Sequence, residues 1–291
     1  MTVTTLLALG RVSNLPTVWT NCLAGAALAG GDFSVSTLVI VAVALSLFYC
    51  GGMFLNDAFD RDVDAIERPA RPIPSGRASV AAVYTLGVAQ LVGGIILLAL
   101  AANAATGRIG LPLGAGAALA LVIVGYDAVH RRIALAPWLM AACRALVYVC
   151  AAVATTARPA WHAVLPAATA LAVYTAAVTY VSRVEASGKA SRAWPIALLV
   201  AAPAALLASS SGLADARTWG ALASIVWTLY ALRFATRRES PDVPGGIVRL
   251  IAGMCLLDAA WIASAGASIV ALVALAGLPA TRLLQHRVAG S

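Results

Sequence analysis

Residues 56–79 read NDAFDRDVDAIERPARPIPSGRAS, four aspartates and four arginines directly after the apolar run LVIVAVALSLFYCGGMFL at 38–55. A helix that crosses a bilayer needs roughly 17–25 mostly apolar residues, so the run reads as a membrane span and the charge as its exit. If the helix continues past residue 60, then at about 100° per residue Asp57, Asp60 and Asp64 fall within roughly 60° of one another. Asn56 flanks them, and the result is an acidic face at a membrane-adjacent helix end.

The composition places the whole chain in the bilayer. Of 291 residues 62% are hydrophobic and 11% charged, against about a quarter charged in a soluble domain. Reading for apolar runs gives segments at 14–31, 36–56, 79–103, 108–126, 134–156, 160–182, 194–211, 218–236, 247–263 and 265–285. The last two are split only by SAGAS, so nine or ten transmembrane helices are expected. The fold class is all-α, a polytopic membrane helical bundle around a central cavity, as one integral membrane domain over 1–291. Sixteen of the twenty Lys and Arg residues fall in the N-terminus and in alternate loops, which assigns those to the cytoplasm. The net charge of +8 is then a topology signal plus attraction to anionic headgroups, and nucleic acid is not an expected partner. The five cysteines (Cys22, Cys50, Cys143, Cys150, Cys255) lie in apolar runs without metal-ligand spacing and read as small buried hydrophobes. The N-terminus shows no cleavable leader pattern, so the first span is expected to direct insertion.

Close carboxylates repel one another and resist desolvation. A hard divalent cation offsets that cost, and Mg2+ is typically held by one or two carboxylates plus phosphate oxygens of a substrate. An acidic stripe beside an apolar cavity therefore points to a diphosphate held through metal, its hydrocarbon tail in the bilayer. The alternative is that these acids pair with Arg61, Arg68 and Arg71 in a solvated loop. Pro69, Pro72 and Pro74 exclude helix from RPARPIPSG and predict a stiff extended segment that presents Arg68 and Arg71 to phosphate.

NDAFDRDVD followed by RPARPIPSGRAS resembles the first aspartate-rich motif and trailing R-P-x-P-S-G of the UbiA-type intramembrane prenyltransferase superfamily. NLPTVWTN, AACRALVYV and LLDAAW resemble its EboC-like branch more weakly. The resemblance implies a UbiA-like helical bundle that binds Mg2+ and a prenyl diphosphate in its cavity. It makes Asn56, Asp57, Asp60 and Asp64 the metal ligands. Relatives carry a second motif, D-x-x-x-D, after span six; here Ser182 and Ala186 replace the two aspartates, leaving Glu185 as the only acid there and a further candidate metal ligand. After span four relatives show Tyr-x-x-x-Lys, and GYDAVHRR keeps Tyr126 while His130 replaces the lysine. Arg131 and Arg183 add cationic contacts for substrate, and Asp127 is an extra acid.

Arg11, Asn14, Thr17 and Asn21 recur at helical spacing and give the first span a polar face, and polar groups at depth face cavities or neighbouring helices. Arg11, Asn14 and Asn21 are the expected lining residues. Arg144 sits about 15 Å into span five by helical rise, and two readings of it stand: contact with acceptor or diphosphate, or a pair with Asp258. The function implied is Mg-dependent transfer of a prenyl group to an unidentified small acceptor at a bacterial inner (cytoplasmic) membrane, the active site facing the cytoplasm. Asp57, Asp60, Tyr126 and Arg144 are its expected catalytic groups. The competing readings are a terpene cyclase of the same fold, which needs no acceptor, and a lipid or metabolite carrier that has lost the chemistry.

Overall fold

In the computed structural model the described residues are 1–31, 33–186, 194–235 and 242–288, side chains at 184–186 excepted. A short helix α1 (Val3–Leu9) and a 3-10 turn (Val12–Asn14) lead into α2 (Leu15–Leu28), α3 (Val35–Phe59) and α4 (Arg61–Glu67). Then follow α5 (Val80–Thr106), α6 (Gly110–Val129), α7 (Ala136–Thr155) and α8 (Trp161–Ala186). The chain ends with α9 (Trp194–Ala208), α10 (Ala216–Ala235), α11 (Val243–Ser264) and α12 (Ser268–Arg287). Each of the ten segments expected from hydropathy coincides with one of the long helices, and α11 and α12 are separate, parted by a turn with Gly266 at φ 80°. Among the described residues, seven helices are long and apolar enough to cross a membrane. α2 and α9, at 14 and 15 residues, rise only about 21–23 Å, less than the ~30 Å hydrocarbon core.

Local chemistry explains where the helices begin. Ser34, Ser79 and Asp242 each accept a backbone N–H in the first turn of α3, α5 and α11, satisfying donors a helix start leaves free. Pro16, Pro137 and Pro244 occupy the first turns of α2, α7 and α11, where the missing N–H costs nothing. The outward faces are apolar: Leu100, Leu121, Leu229 and Leu272 are all more than half exposed, a surface that suits lipid and not water.

Successive helices pack against one another, while α2 runs through the middle and touches α3, α7, α8, α11 and α12. Two apolar cores result. One joins α2, α3, α5, α6 and α7; the other joins α2 and α7 to α8–α12. The cavity opens where these halves meet, at the Arg-rich end of the bundle. Small residues set the close approaches. A Cβ on Gly25 of α2 would lie 2.5 Å from the Tyr148 carbonyl oxygen of α7, so only glycine lets these two backbones meet. Gly25→Val is expected to destabilise the detergent-solubilised protein by about 1–3 kcal/mol in a thermal-shift assay. Gly114→Ala, with open space around it, should leave the melting temperature unchanged or higher. Equal losses from both would contradict this packing.

Candidate active site

The acidic face expected from spacing forms, and it is buried. Helix α3 ends at Phe59, Asp60 joins it to α4, and the bend keeps Asn56, Asp57, Asp60 and Asp64 at 8%, 6%, 5% and 1% exposure. Buried carboxylates require partners, and here arginines supply them. Arg71 Nη1 donates to Asp64 Oδ2 at 2.6 Å and to Asp57 Oδ1 at 3.3 Å. Arg11 Nη2 donates to Asp57 Oδ1 at 3.1 Å and Asn56 Oδ1 at 3.3 Å. Arg131 Nε donates to Asp60 Oδ1 at 2.6 Å, with His130 Nε2 3.4 Å from the same oxygen. Asn56 Nδ2 donates to Asp127 Oδ1 at 3.2 Å, so Asp127 joins the cluster from α6. The arginine pairing expected of a solvated loop therefore exists, but inside the protein; only Arg61 with Asp62, 3.4 Å apart, is the exposed pair of that reading.

The RPARPIPSG segment is non-helical as the prolines require, but it is coiled rather than extended. Arg71 N–H donates to Arg68 O, Ser75 N–H to Arg71 O and Ala78 N–H to Pro72 O. Gly76 turns at φ 73°, and Arg77 donates to Ala70 O and Ser75 Oγ. Fixed proline φ angles favour tight turns as readily as extension. This folding returns Arg71 beneath α4 instead of presenting it to the cavity, and leaves Arg68 in the wall.

Arg11 has φ 43°, a left-handed conformation that costs a side-chain-bearing residue of order 1–3 kcal/mol. Its guanidinium on Asp57 and the Tyr49 hydroxyl donating to its carbonyl at 3.4 Å hold it there. Burial pushes the Asp60 carboxyl up, but hydrogen bonds from His130 and Arg131 outweigh that and hold it well below the usual carboxylate range. Burial lowers His130 while Asp60, by hydrogen bond and charge, raises it further, so its proton is held above the ordinary histidine value.

The cavity has a volume of about 490 Å³ and is lined by Arg11, Asn14, Tyr49, Met53, Arg68, Tyr126, Met140 and Arg144 on one side. Thr175, Val178, Thr179 and Ser182 of α8 and Pro244, Ile247, Ile251 and Met254 of α11 complete it. A smaller hollow of about 80 Å³ shares Tyr49, Met53, Tyr126, Met140 and Arg144 and runs inward between Leu45, Phe48, Leu119, Ile123 and Val147. Of the residues expected at the site, Arg11, Asn14, Arg68, Tyr126 and Arg144 reach the cavity wall. Arg71 and Arg131 serve the carboxylates. His130 stacks on Tyr126, ring centroids 5.0 Å apart. Arg183 donates to the carbonyls of His130 and Ile133, clamping the α6–α7 loop. Asn21 lies behind the wall: Arg144 Nη1 donates to its Oδ1 at 2.8 Å, and its Nδ2 donates to Asp258 Oδ2 at 2.7 Å. The Glu185 side chain lies outside the described residues. Ser182, at the place of a second-motif aspartate, lines the cavity.

Sequence reading missed Tyr49 and Met53, which continue the Asn56 face one and two turns inward. It also missed Thr175, Thr179 and Ser182, whose i, i+4, i+7 spacing is the signal already used for the first span. Gln285, which donates to Asn14 Oδ1 at 2.9 Å, sits at the end of α12 with no local pattern to mark it.

The donor set suits Mg2+. Carboxylate oxygens are hard ligands, and two buried ones, Asp64 Oδ1 and Asp127 Oδ2, have no hydrogen-bond partner. Among the described residues no group of three His, Cys, Asp or Glu gathers to enclose an ion, which matches a cation that takes one or two protein carboxylates and completes its shell with phosphate oxygens and water.

Comparison with known proteins agrees with the fold. Residues 18–242 match the model of the UbiA prenyltransferase family. A digeranylgeranylglyceryl phosphate synthase of Methanothrix thermoacetophila is 39% identical over 97 residues, 33% of this chain and 36% of that protein. Its counterpart in Methanothermobacter thermautotrophicus is 45% identical over 72 residues, 23% of this chain and 25% of the relative. The chain thus spans about a third or less of the length of these curated relatives. A UbiA homolog from Archaeoglobus fulgidus bound to DMAPP and Mg2+ superposes with TM-score 0.63 at 17% identity, covering 91% of this chain and 99% of the other. The apo UbiA homolog from Aeropyrum pernix K1 superposes with TM-score 0.60 at 14% identity, covering 91% and 96%. At such identity the likeness is one of fold. From its all-helical architecture to the match over most of its length, this chain belongs to the UbiA prenyltransferase family.

Proposed function

We propose that the chain transfers a prenyl group from a prenyl diphosphate to a small acceptor, with Mg2+, in a single intramembrane domain spanning 1–291. The observation that carries this reading is the buried acidic ridge of Asp57, Asp60 and Asp64 at the mouth of an arginine-lined cavity that continues into an apolar hollow. The DMAPP- and GPP-bound homologs with Mg2+ support the donor class, and the synthases named above support transfer to an acceptor. The Arg-rich end of the bundle would face the cytoplasm, at a cytoplasmic membrane.

Each part of the site has a task. Mg2+, held by Asp57, Asp60 and Asp64 with Asn56 assisting, would neutralise the diphosphate as the allylic C–O bond breaks and its electron pair leaves with the phosphate oxygen. Arg68 and Arg11 at the wall take up charge developing on the leaving group. Tyr126 and Tyr49 present aromatic faces, which stabilise cations, and the apolar hollow houses the hydrocarbon tail away from water. The acceptor oxygen or carbon then donates its pair to the allylic cation and loses a proton.

His130 and Asp60 give the site a pH window. A depressed Asp60 contributes stability that is present above about pH 4 and fades as the pH falls. A raised His130 contributes stability that is complete below about pH 6.5 and fades as the pH rises through its folded value. In protein without added divalent cation, NMR titration should find the His130 imidazole protonated above its ordinary range, and Asp60→Asn should bring it down. A His130 titration that ignores Asp60→Asn contradicts the pairing. For activity, purified protein with Mg2+ and labelled geranyl diphosphate should release diphosphate, and Asp57→Ala or Asp60→Ala should slow release by about 10²–10³. Background release with intact ligand binding would favour a carrier, and release with cyclised hydrocarbon and no acceptor would favour a cyclase.

A further inference from the structure

One buried acid takes no part in the chemistry above. Asp258 lies in the middle of α11 with 0% exposure, where an ionisable side chain is expensive and needs a purpose. Its Oδ2 accepts from Thr20 Oγ1 at 2.5 Å and from Asn21 Nδ2 at 2.7 Å, and its Oδ1 accepts from the Tyr148 hydroxyl at 2.5 Å. Among the described residues no cation pairs with it directly. The direct Arg144–Asp258 pair considered from the sequence is replaced by a relay through Asn21.

That relay has a direction. An amide has one donor end and one acceptor end. With Nδ2 committed to the Asp258 carboxylate, Asn21 must turn Oδ1 outward, and Oδ1 receives Arg144 Nη1 at 2.8 Å. Arg11, Arg71 and Arg131 each sit on a carboxylate; among the described residues Arg144 has none within pairing distance. It is held by a neutral amide oxygen and lies 5.7 Å from the centroid of the Tyr49 ring, so its charge stays uncompensated while its position is fixed. It lines both the cavity and the inner hollow, about 12 Å along α7 from Ala136 by helical rise. The opposing wall is neutral: Thr175, Thr179 and Ser182 give their hydroxyl protons to their own helix carbonyls, leaving oxygen lone pairs to receive donors.

We propose that Arg144 is the receptor for an anionic group of the acceptor, a carboxylate or a phosphate, and that Asp258 positions it through Asn21. The inference rests on the prenyl-transfer reading and gives the acceptor a chemical class: an anion at Arg144 and hydroxyl or amine donors toward α8. The acidic ridge serves the diphosphate, and Arg144 serves a second anion deeper in the same cavity.

Isothermal titration of the full chain in detergent with Mg2+ tests it, using decyl phosphate, decanoate and decanol as probes and geranyl thiolodiphosphate to fill the donor site. Decyl phosphate and decanoate are expected to bind about ten- to hundredfold more tightly than decanol. Arg144→Met should erase that preference, Arg144→Lys should keep part of it, and Asp258→Asn should reduce it by freeing the Asn21 amide to flip. Asn21→Asp, which hands Arg144 a carboxylate without removing a buried one, should also erase the preference and guards against a folding defect in Asp258→Asn. Geranyl thiolodiphosphate affinity should not move in any of these variants. Equal binding of the three probes, or a preference that survives Arg144→Met or both Asp258→Asn and Asn21→Asp, overturns the proposal. If geranyl thiolodiphosphate shows no Mg2+-dependent binding, the prenyl-transfer reading fails, while the probe preference measured without it still decides the role of Arg144.

Discussion

Burying carboxylates at a helix end inside a membrane protein is the constraint on which this structure turns. Isolated, each such ion would pay a large desolvation cost, and removing one partner of a buried pair typically costs about 3–5 kcal/mol. The chain meets that cost with cations brought from three separate segments: Arg11 from the turn after α1, Arg71 from the proline-rich turn, and His130 with Arg131 from the end of α6. Those segments have little else to hold them. The left-handed backbone at Arg11, the coiling of 68–78 and the Arg183 clamp on the α6–α7 loop all read as devices that deliver charge to one ridge.

The site is asymmetric. One wall carries acids and arginines, while the α8 wall carries hydroxyls where family members bear a second pair of aspartates. A neutral wall lowers the local negative field, so an anionic acceptor meets less repulsion on entering. The uncompensated Arg144 completes that gradient, from a ridge suited to a metal-bound diphosphate at the mouth to a fixed positive charge within.

Much of this was legible in the sequence because helical periodicity is local. Asn56, Asp57, Asp60 and Asp64 share a face by spacing alone, and hydropathy placed all ten long helices. What spacing cannot supply is which distant cation answers which acid. Arg71 was expected to reach outward to phosphate and instead turns inward to Asp64, since proline fixes φ without choosing between extension and turn. Asn21 was expected in the wall and sits behind it, its role defined by Asp258, 237 positions away. The hydroxyl row of α8 was visible at i, i+4, i+7, but without an ionisable group it resembled ordinary helix-back-bonding Thr and Ser.

The central claim is that the ridge closing α3 holds a divalent cation jointly with a prenyl diphosphate. Its most direct test is electron paramagnetic resonance of Mn2+ added to the full chain with and without geranyl thiolodiphosphate. Bound Mn2+ should appear when the analogue is present and vanish in the Asp57→Asn, Asp60→Asn double variant. Mn2+ retained at the original level by that variant, or none bound in the presence of the analogue, would contradict the account.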